Sequence, residues 1–203
     1  MIHESWFWKK ELYNLYQVLY KAMRLKRFGN ASYIKVEKAV ILSAYIIRKL
    51  YDSQKLPPDF LSHQIEVSSF PNLEPVDFLN THRLNENYNF INGINEKRKY
   101  DFIINQVIHS FVFTLIFTEN NRLSGILVNS DTSKNRALFE IDIYEYIKLI
   151  LSVSEGDLTS SRFERIGDER IQTEGVYSYS LHFDINTVIT NLKNGNIYKR
   201  YGK

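Results

Sequence analysis

The stretch FVFTLIFTENNRLSGILVNSDTSKNRALFEI (Phe111–Ile141) decides the fold, because three apolar runs in it are separated by two polar breaks. The apolar runs, residues 111–118, 125–129 and 137–141, are rich in β-branched and aromatic side chains, which favour strands. The breaks, residues 119–122 and 130–133, carry the Asn, Ser and Asp residues that favour turns. The stretch therefore predicts a three-stranded antiparallel β meander.

Helices are predicted on both sides of the meander. Apolar residues recur at intervals of three and four over residues 6–27 and 32–50, which predicts two amphipathic helices joined as an antiparallel hairpin. The same period predicts a third helix over residues 95–110. Asp142 and Glu145 have the spacing of a capping box, which predicts a fourth helix over residues 143–153.

The remaining segments are more polar. A short strand is predicted near residues 64–68, inside a region of prolines and asparagines that breaks every other period. Residues 155–175 contain few large apolar side chains, which predicts a long surface loop or a partly disordered one. Alternation over residues 176–183 predicts a strand, which a short helix over residues 185–193 and a basic, frayed tail are expected to follow.

Together these elements predict an α+β fold, in which an antiparallel helical bundle carries a small antiparallel β meander and a C-terminal strand and helix. The predicted parts are a helical body (residues 1–110), the meander with a helix packed on it (111–154), and a polar loop, strand, short helix and tail (155–203). A chain of 203 residues can bury one sizeable core, so we expect one compact domain.

Composition narrows the class of protein. The chain has no cysteine, which excludes disulfides and cysteine-based catalysis and predicts a reducing compartment, the cytoplasm. The N-terminal residues lack the basic and apolar regions of a signal peptide. The longest apolar run, residues 111–117, is much shorter than the roughly 20 residues of a membrane-spanning helix, so no membrane association is expected.

Charge is distributed unevenly, although the net charge is only +3. Residues 1–60 hold eleven Lys and Arg against five Asp and Glu, whereas residues 131–184 hold six against eleven. The basic N-terminal part could attract a polyanion such as RNA, with Arg24 and Arg27 as candidate contacts at the end of the first helix. A solvated helix surface explains the same charges without any function.

Several kinds of enzyme are disfavoured because their sequence motifs are absent. There is no Gly-rich phosphate loop, GxSxG elbow or HExxH motif. The five histidines (His3, His63, His82, His109 and His182) are scattered, and no two have the spacing of metal ligands on a helix. We therefore expect neither a metal nor another cofactor.

One polar pair stands out within an apolar helix. On the predicted helix over residues 95–110, Asn105 and His109 lie one turn apart on the side opposite the apolar face, together with Arg98. Histidine can move a proton near neutral pH, and a neighbouring amide can orient the imidazole or a phosphate oxygen. This pair predicts a catalytic or phosphate-binding site, and two ordinary polar groups near a helix end are the alternative.

The N-x-x-x-H arrangement in a small helical chain resembles the HEPN superfamily. Its members are compact helical domains, commonly dimeric, and many are metal-independent ribonucleases of toxin, antiviral or RNA-processing systems. The resemblance covers the helices within residues 6–110 and implies His109 as the general acid or base, Asn105 as the orienting group, and a homodimer. The superfamily places an arginine immediately before the polar residue, and this chain has Ile104 there. Arg98 cannot replace it, because eleven residues of predicted helix separate Arg98 from His109 by roughly 16 Å. Either Lys99 or a basic residue of the first helix supplies the charge, or the site is inactive.

Three functions are compatible with the sequence. The first is a metal-independent RNase, or a degenerate relative, in a bacterial or phage defence or toxin context, which the abundance of Asn, Lys, Ile and Tyr also fits. The second is a non-catalytic adaptor that recruits a protein partner through the edge strand or aromatic surface of the meander. The third is a nucleic-acid-binding module that uses its basic helices, and each of the three is compatible with a homodimer.

Overall fold

The structure, a computed structural model, describes residues 2–200. Its elements, in chain order, are α1 (Ser5–Met23), α2 (Asn30–Asp52), a 3-10 turn (Phe60–Ser62), β1 (Gln64–Pro71), α3 (Leu84–Asn87), β2 (Ile94–Lys99), α4 (Tyr100–Ile108), β3 (Ser110–Phe117), β4 (Leu123–Ser130), β5 (Ala137–Asp142), α5 (Ile143–Ser154), β6 (Gly156–Ile166), β7 (Glu169–Tyr179) and α6 (Ile185–Lys193).

The larger sheet has five strands in the order β2-β1-β5-β4-β3, and all of its pairings are antiparallel. The α+β class and the antiparallel meander β3-β4-β5 are therefore confirmed. The sheet also takes two strands, β1 and β2, from the residues that were expected to form a separate helical body. The chain consequently does not divide at residue 110 into a helical part and a sheet part.

The helix that carries Asn105 is shorter than predicted. Residues 94–99 form strand β2, whose residues pair with β1 from Ile94 opposite Ser69 to Lys99 opposite Gln64. The chain turns into α4 at Tyr100, whose amide donates to the His63 carbonyl at 2.8 Å. The charged sequence INEKRK has no period of its own, so backbone pairing with β1 decides its conformation. The prediction of a helix from residue 95 was wrong.

The two faces of the sheet are covered differently. On one face, Val67, Ile126, Val128, Phe139 and Ile141 belong to the main core, together with the apolar sides of α1, α2, α4, α5 and α6. On the other face, a smaller core contains Phe70, Val112, Leu127 and Leu138, together with Val76 and Tyr88 from the connection between β1 and β2. The alternation of side chains along each strand separates the two cores.

Residues 155–175 are not a surface loop. They form most of a two-stranded antiparallel sheet, β6-β7, in which Ile166 lies opposite Glu169 across a two-residue turn. Gly167 begins this turn with a φ of 61°, a left-handed conformation that glycine adopts without strain. Polar side chains fill both faces of the hairpin because most of it is exposed, which explains why its sequence has no apolar period.

Residues 194–200 do not fray. They lie along α1 as a strap, held by three tyrosine hydroxyls of that helix, those of Tyr13, Tyr16 and Tyr20. Among residues 2–200, no helix is both long enough and apolar enough to cross a membrane.

Candidate functional site

His109 is exposed at the C-terminal end of α4. It is the C-cap residue of the helix, and its amide donates to the Asn105 carbonyl at 3.1 Å. Asn105 is half-buried, on the side of the helix away from Ile103, Ile104 and Val107. Within residues 2–200, neither side chain makes a hydrogen bond or an ion pair. Both polar groups are therefore available to another molecule.

The surroundings of His109 contain an aromatic pair and one ion pair. The Asp131 amide lies 3.4 Å from the His109 carbonyl, and the Asp131 carboxylate pairs with Lys134 Nζ at 2.7 Å. Lys134 Nζ in turn lies 3.7 Å from the centre of the Phe111 ring, which contacts the Phe78 ring at 4.8 Å. The lysine is thus already used by a carboxylate and a ring.

Arg98 and Lys99 lie at the opposite end of α4. The Arg98 guanidinium stacks over Phe102 at 4.9 Å and pairs with Glu96 at 2.9 Å, so it covers apolar surface beside the sheet. Lys99 is exposed at the N-cap position of α4. Nine helical residues separate the two ends by roughly 13 Å at 1.5 Å per residue. Neither cation approaches His109 within one molecule.

Arg24 and Arg27 lie at the far end of β3 from His109. Arg24 donates to the Tyr20 hydroxyl at 2.8 Å and to the Gly195 carbonyl, so it helps to hold the strap. Arg27 lines a groove with Phe28, Tyr33 and Phe117, next to the end of β3. Because β3 is eight residues long, this groove lies roughly 23 Å from His109. The structure therefore does not gather the predicted basic residues around the histidine.

A polar cleft of about 350 Å³ lies between α1, the hairpin and the strap. Its wall contains Glu155, whose side chain is only 7% exposed and accepts hydrogen bonds from Arg200 Nε at 3.0 Å and from the Tyr198 hydroxyl at 3.0 Å. Burial raises the pKa of Tyr198, and of Tyr16 behind it, above the ordinary value of a tyrosine hydroxyl. The carboxylate fastens the strap to the end of α5.

Lys9 fastens the hairpin to α1 in the same cleft. Its side chain is 4% exposed, and its Nζ donates to the Gly156 carbonyl at 2.7 Å and to Asp157 at 3.1 Å. Sequence reasoning missed Lys9, Glu155 and Arg200, because their partners lie 45 to 148 positions away along the chain. The pairing of these groups indicates that the cleft is a structural joint between segments. Within residues 2–200, no group of three or more His, Asp or Glu side chains is arranged to hold a metal ion.

The outer edges of the five-stranded sheet differ sharply from each other. β2, at one edge, reads INEKRK and carries four charged residues. β3, at the other edge, reads SFVFTLIF and carries no charged residue and no proline. No strand among residues 2–200 pairs with the outer side of β3. The meander thus ends in an unpaired, apolar strand.

The side chains of β3 are incompletely covered by the rest of the molecule. Val112 and Leu115 are buried, whereas Phe111, Phe113, Thr114, Ile116 and Phe117 are only half-buried. α2 touches this edge through Tyr33, whose hydroxyl lies 3.4 Å from Thr114 Oγ1 and 3.5 Å from the Phe113 carbonyl. Next to Phe117, the groove lined by Arg27 and Phe28 leaves an open volume of about 450 Å³.

No protein-family model, curated protein or solved structure matches this chain.

Proposed function

We propose that the protein is a non-catalytic interaction protein, an adaptor whose strand β3 pairs with an extended segment of another polypeptide chain. The observation that carries this proposal is the contrast between the two sheet edges, one charged and one apolar. An edge strand exposes unpaired backbone N–H and C=O groups, which can form a ladder with a second strand.

The contrast between the edges is informative because soluble proteins commonly protect such edges. Charged side chains, prolines and bulges are the usual protection, and β2 has the charges. In β3 the pairing with β4 is irregular only near its two ends, between Ser110 and Val112 and between Ile116 and Phe117. The regular segment between them, Val112–Ile116, has neither charge nor proline, which is the pattern of a strand that receives a partner.

Photo-crosslinking in the cells that express the chain tests this proposal. A photoreactive amino acid at position 116 of β3 should form a covalent adduct with another polypeptide, whereas the same group at position 97 of β2 should not. Thr114→Lys should abolish the adduct, because a charge on the edge must be desolvated when a strand is added. Thr173→Lys makes the same change on an exposed strand of the hairpin and serves as the matched control. Absence of an adduct from position 116, or an adduct that survives Thr114→Lys, would contradict the proposal.

We propose RNA cleavage as a second candidate function, supported by the exposure of His109 one turn after Asn105. In this hypothesis His109 transfers the proton, and Asn105 orients the imidazole of His109 or the phosphate, as the resemblance to the HEPN superfamily implies. Lys99 lies at the other end of α4, so a second copy of the chain would supply the positive charge.

The RNase hypothesis predicts that the purified protein degrades single-stranded RNA in the presence of EDTA. His109→Ala should stop this degradation, and Asn105→Ala should slow it. His182→Ala removes another exposed histidine, on the wall of the polar cleft, and should leave the rate unchanged. Equal rates for His109→Ala and the wild type, or complete dependence on a divalent metal, would exclude this candidate.

A further inference from the structure

We infer that the strand which pairs with β3 is β3 of a second copy of the chain, so that two sheets join into one continuous antiparallel sheet of ten strands. This inference rests on the proposed function, because it names the partner of the same edge. It follows from the sequence of the strand, its regular segment and the space around it.

The sequence of β3 matches itself when the strand is reversed. In an antiparallel pair centred on Thr114, Phe111 lies opposite Phe117, Val112 opposite Ile116, and Phe113 opposite Leu115. Directly opposite residues project from the same face of a sheet, so each apolar side chain meets an apolar side chain of the second copy. Thr114 meets Thr114, which is a favourable cross-strand pair.

Other registers satisfy fewer of these contacts. A shift of the pairing by one residue brings side chains from one face of the first sheet beside side chains from the other face of the second sheet. Centring the pair on Phe113 instead places Ser110 opposite Ile116 and Thr114 opposite Val112, and it leaves Phe117 unpaired. The register centred on Thr114 is also the one that places the regular segment Val112–Ile116 against itself.

The two ends of the edge are aromatic, and at its middle the Tyr33 hydroxyl donates to the Phe113 carbonyl at 3.5 Å, a contact that the second strand would share or displace. Aromatic pairs flank both ends of the strand, with Phe28 against Phe117 at 4.9 Å and Phe78 against Phe111 at 4.8 Å. Phe78 is 87% exposed. The groove beside Phe117 leaves open space where the Phe111 end of the second copy would arrive. Apolar contact and backbone pairing together predict a dimer that high salt does not dissociate.

Light scattering and sedimentation on the purified full-length chain test this inference. The wild type should be a dimer whose fraction rises with protein concentration and persists in high salt. Thr114→Lys places two lysines opposite each other, so its dissociation constant should rise about tenfold or more while its circular dichroism spectrum stays unchanged. Thr173→Lys, the control on the hairpin, should remain dimeric.

Cysteine scanning tests the register, because the natural chain contains no cysteine. In the Thr114→Cys variant the two thiols face each other with Cα atoms about 4.5–5.5 Å apart, within the range of a disulfide. This variant should form a disulfide-linked dimer on mild oxidation. Val112→Cys alone should not, because its two copies lie about 13 Å apart along the strands. A mixture of Val112→Cys and Ile116→Cys chains should form the mixed disulfide.

Three outcomes would overturn the inference: a wild type that stays monomeric at every concentration, a dimer that survives Thr114→Lys, or a Thr114→Cys variant that links no better than Thr173→Cys. The photo-crosslinking from position 116 separates this failure from that of the proposed function. An adduct of twice the mass of the chain supports the second copy as the partner. An adduct of another mass retains the strand-addition function and removes the self-pairing.

Discussion

Gly29 is the N-cap residue of α2, and it has no side chain that could cap the helix. Its φ of −105° and ψ of 172° suit any residue, and a Cβ added there meets nothing within 4 Å. Gly29→Ser should therefore stabilise the protein by about 0.5–1 kcal/mol, since the hydroxyl caps free N–H groups and the unfolded chain loses freedom.

Urea unfolding measures the effect of Gly29→Ser, with Gly29→Ala as the control. Alanine restricts the unfolded chain in the same way but offers no oxygen to the helix. A serine variant that is no more stable than the alanine variant would show that the N-terminus of α2 does not lack a cap.

Glu140 provides a second prediction at the scale of one residue. Burial, and then the neighbouring Asp142, raise the pKa of the Glu140 carboxyl above 4.5. The folded state therefore disfavours the ionised form, and this destabilisation is present above the raised pKa and absent well below pH 4.5. Glu140→Gln should raise the melting temperature at pH 7, and the difference from the wild type should vanish in acid.

Thermal unfolding of the two proteins across this pH range measures the difference for Glu140→Gln. Glu174→Gln, on an exposed stretch of the hairpin, makes the same substitution without touching Glu140 and serves as the control. A Glu140→Gln variant that is less stable than the wild type at pH 7 would contradict the prediction.

At the scale of the elements, the hairpin β6-β7 depends on a close approach at its base. A Cβ on Gly156 would lie 1.9 Å from the Tyr177 ring, and the Tyr177 hydroxyl donates to the Val153 carbonyl at 2.8 Å. Gly156→Ala must displace this ring, so it should destabilise the protein by about 1–3 kcal/mol.

Hydrogen exchange should locate the damage from Gly156→Ala in the hairpin. Exchange should quicken in β6 and β7 more than in the five-stranded sheet, because the displaced ring lies at the joint between them. Gly29→Ala, at an open position, is the matched control. Unchanged stability of Gly156→Ala would mean that the ring has another place to pack.

The elements also show what the sequence could and could not predict. The meander was predictable because its strands are apolar and its turns are polar. The hairpin β6-β7 was not, because backbone pairing forms it while polar side chains cover both faces. The strap could not be predicted for a related reason, since it is held by hydrogen bonds between its backbone and the hydroxyls of Tyr13, Tyr16 and Tyr20.

The candidate site was predictable to a similar extent. The helical period places Asn105 and His109 away from the core, and the structure has them there. The helical period could not show that Arg98 belongs to a strand and stacks on Phe102, because β2 forms only through pairing with β1. The apolar strand β3 was visible in the sequence, but its position at the edge follows from β1 joining β5.

At the scale of the whole molecule, the difference between the two sheet edges limits the size of any assembly. In the proposed pairing each copy uses only β3, because the charges on β2 disfavour the addition of a further strand there. Removing three of these four charges in the variant Glu96→Thr, Lys97→Val, Lys99→Val should give large particles whose light scattering grows with concentration. Adding Thr114→Lys to this variant should stop the growth, and failure to do so would assign the growth to another surface.

The charges on β2 should thus prevent further copies from adding at this edge of the sheet. A sheet that could be extended at both edges would add copies without limit and would grow into a fibril. In the proposed assembly, the four ionic groups of β2 close one side of each sheet, so pairing through β3 would stop at two copies.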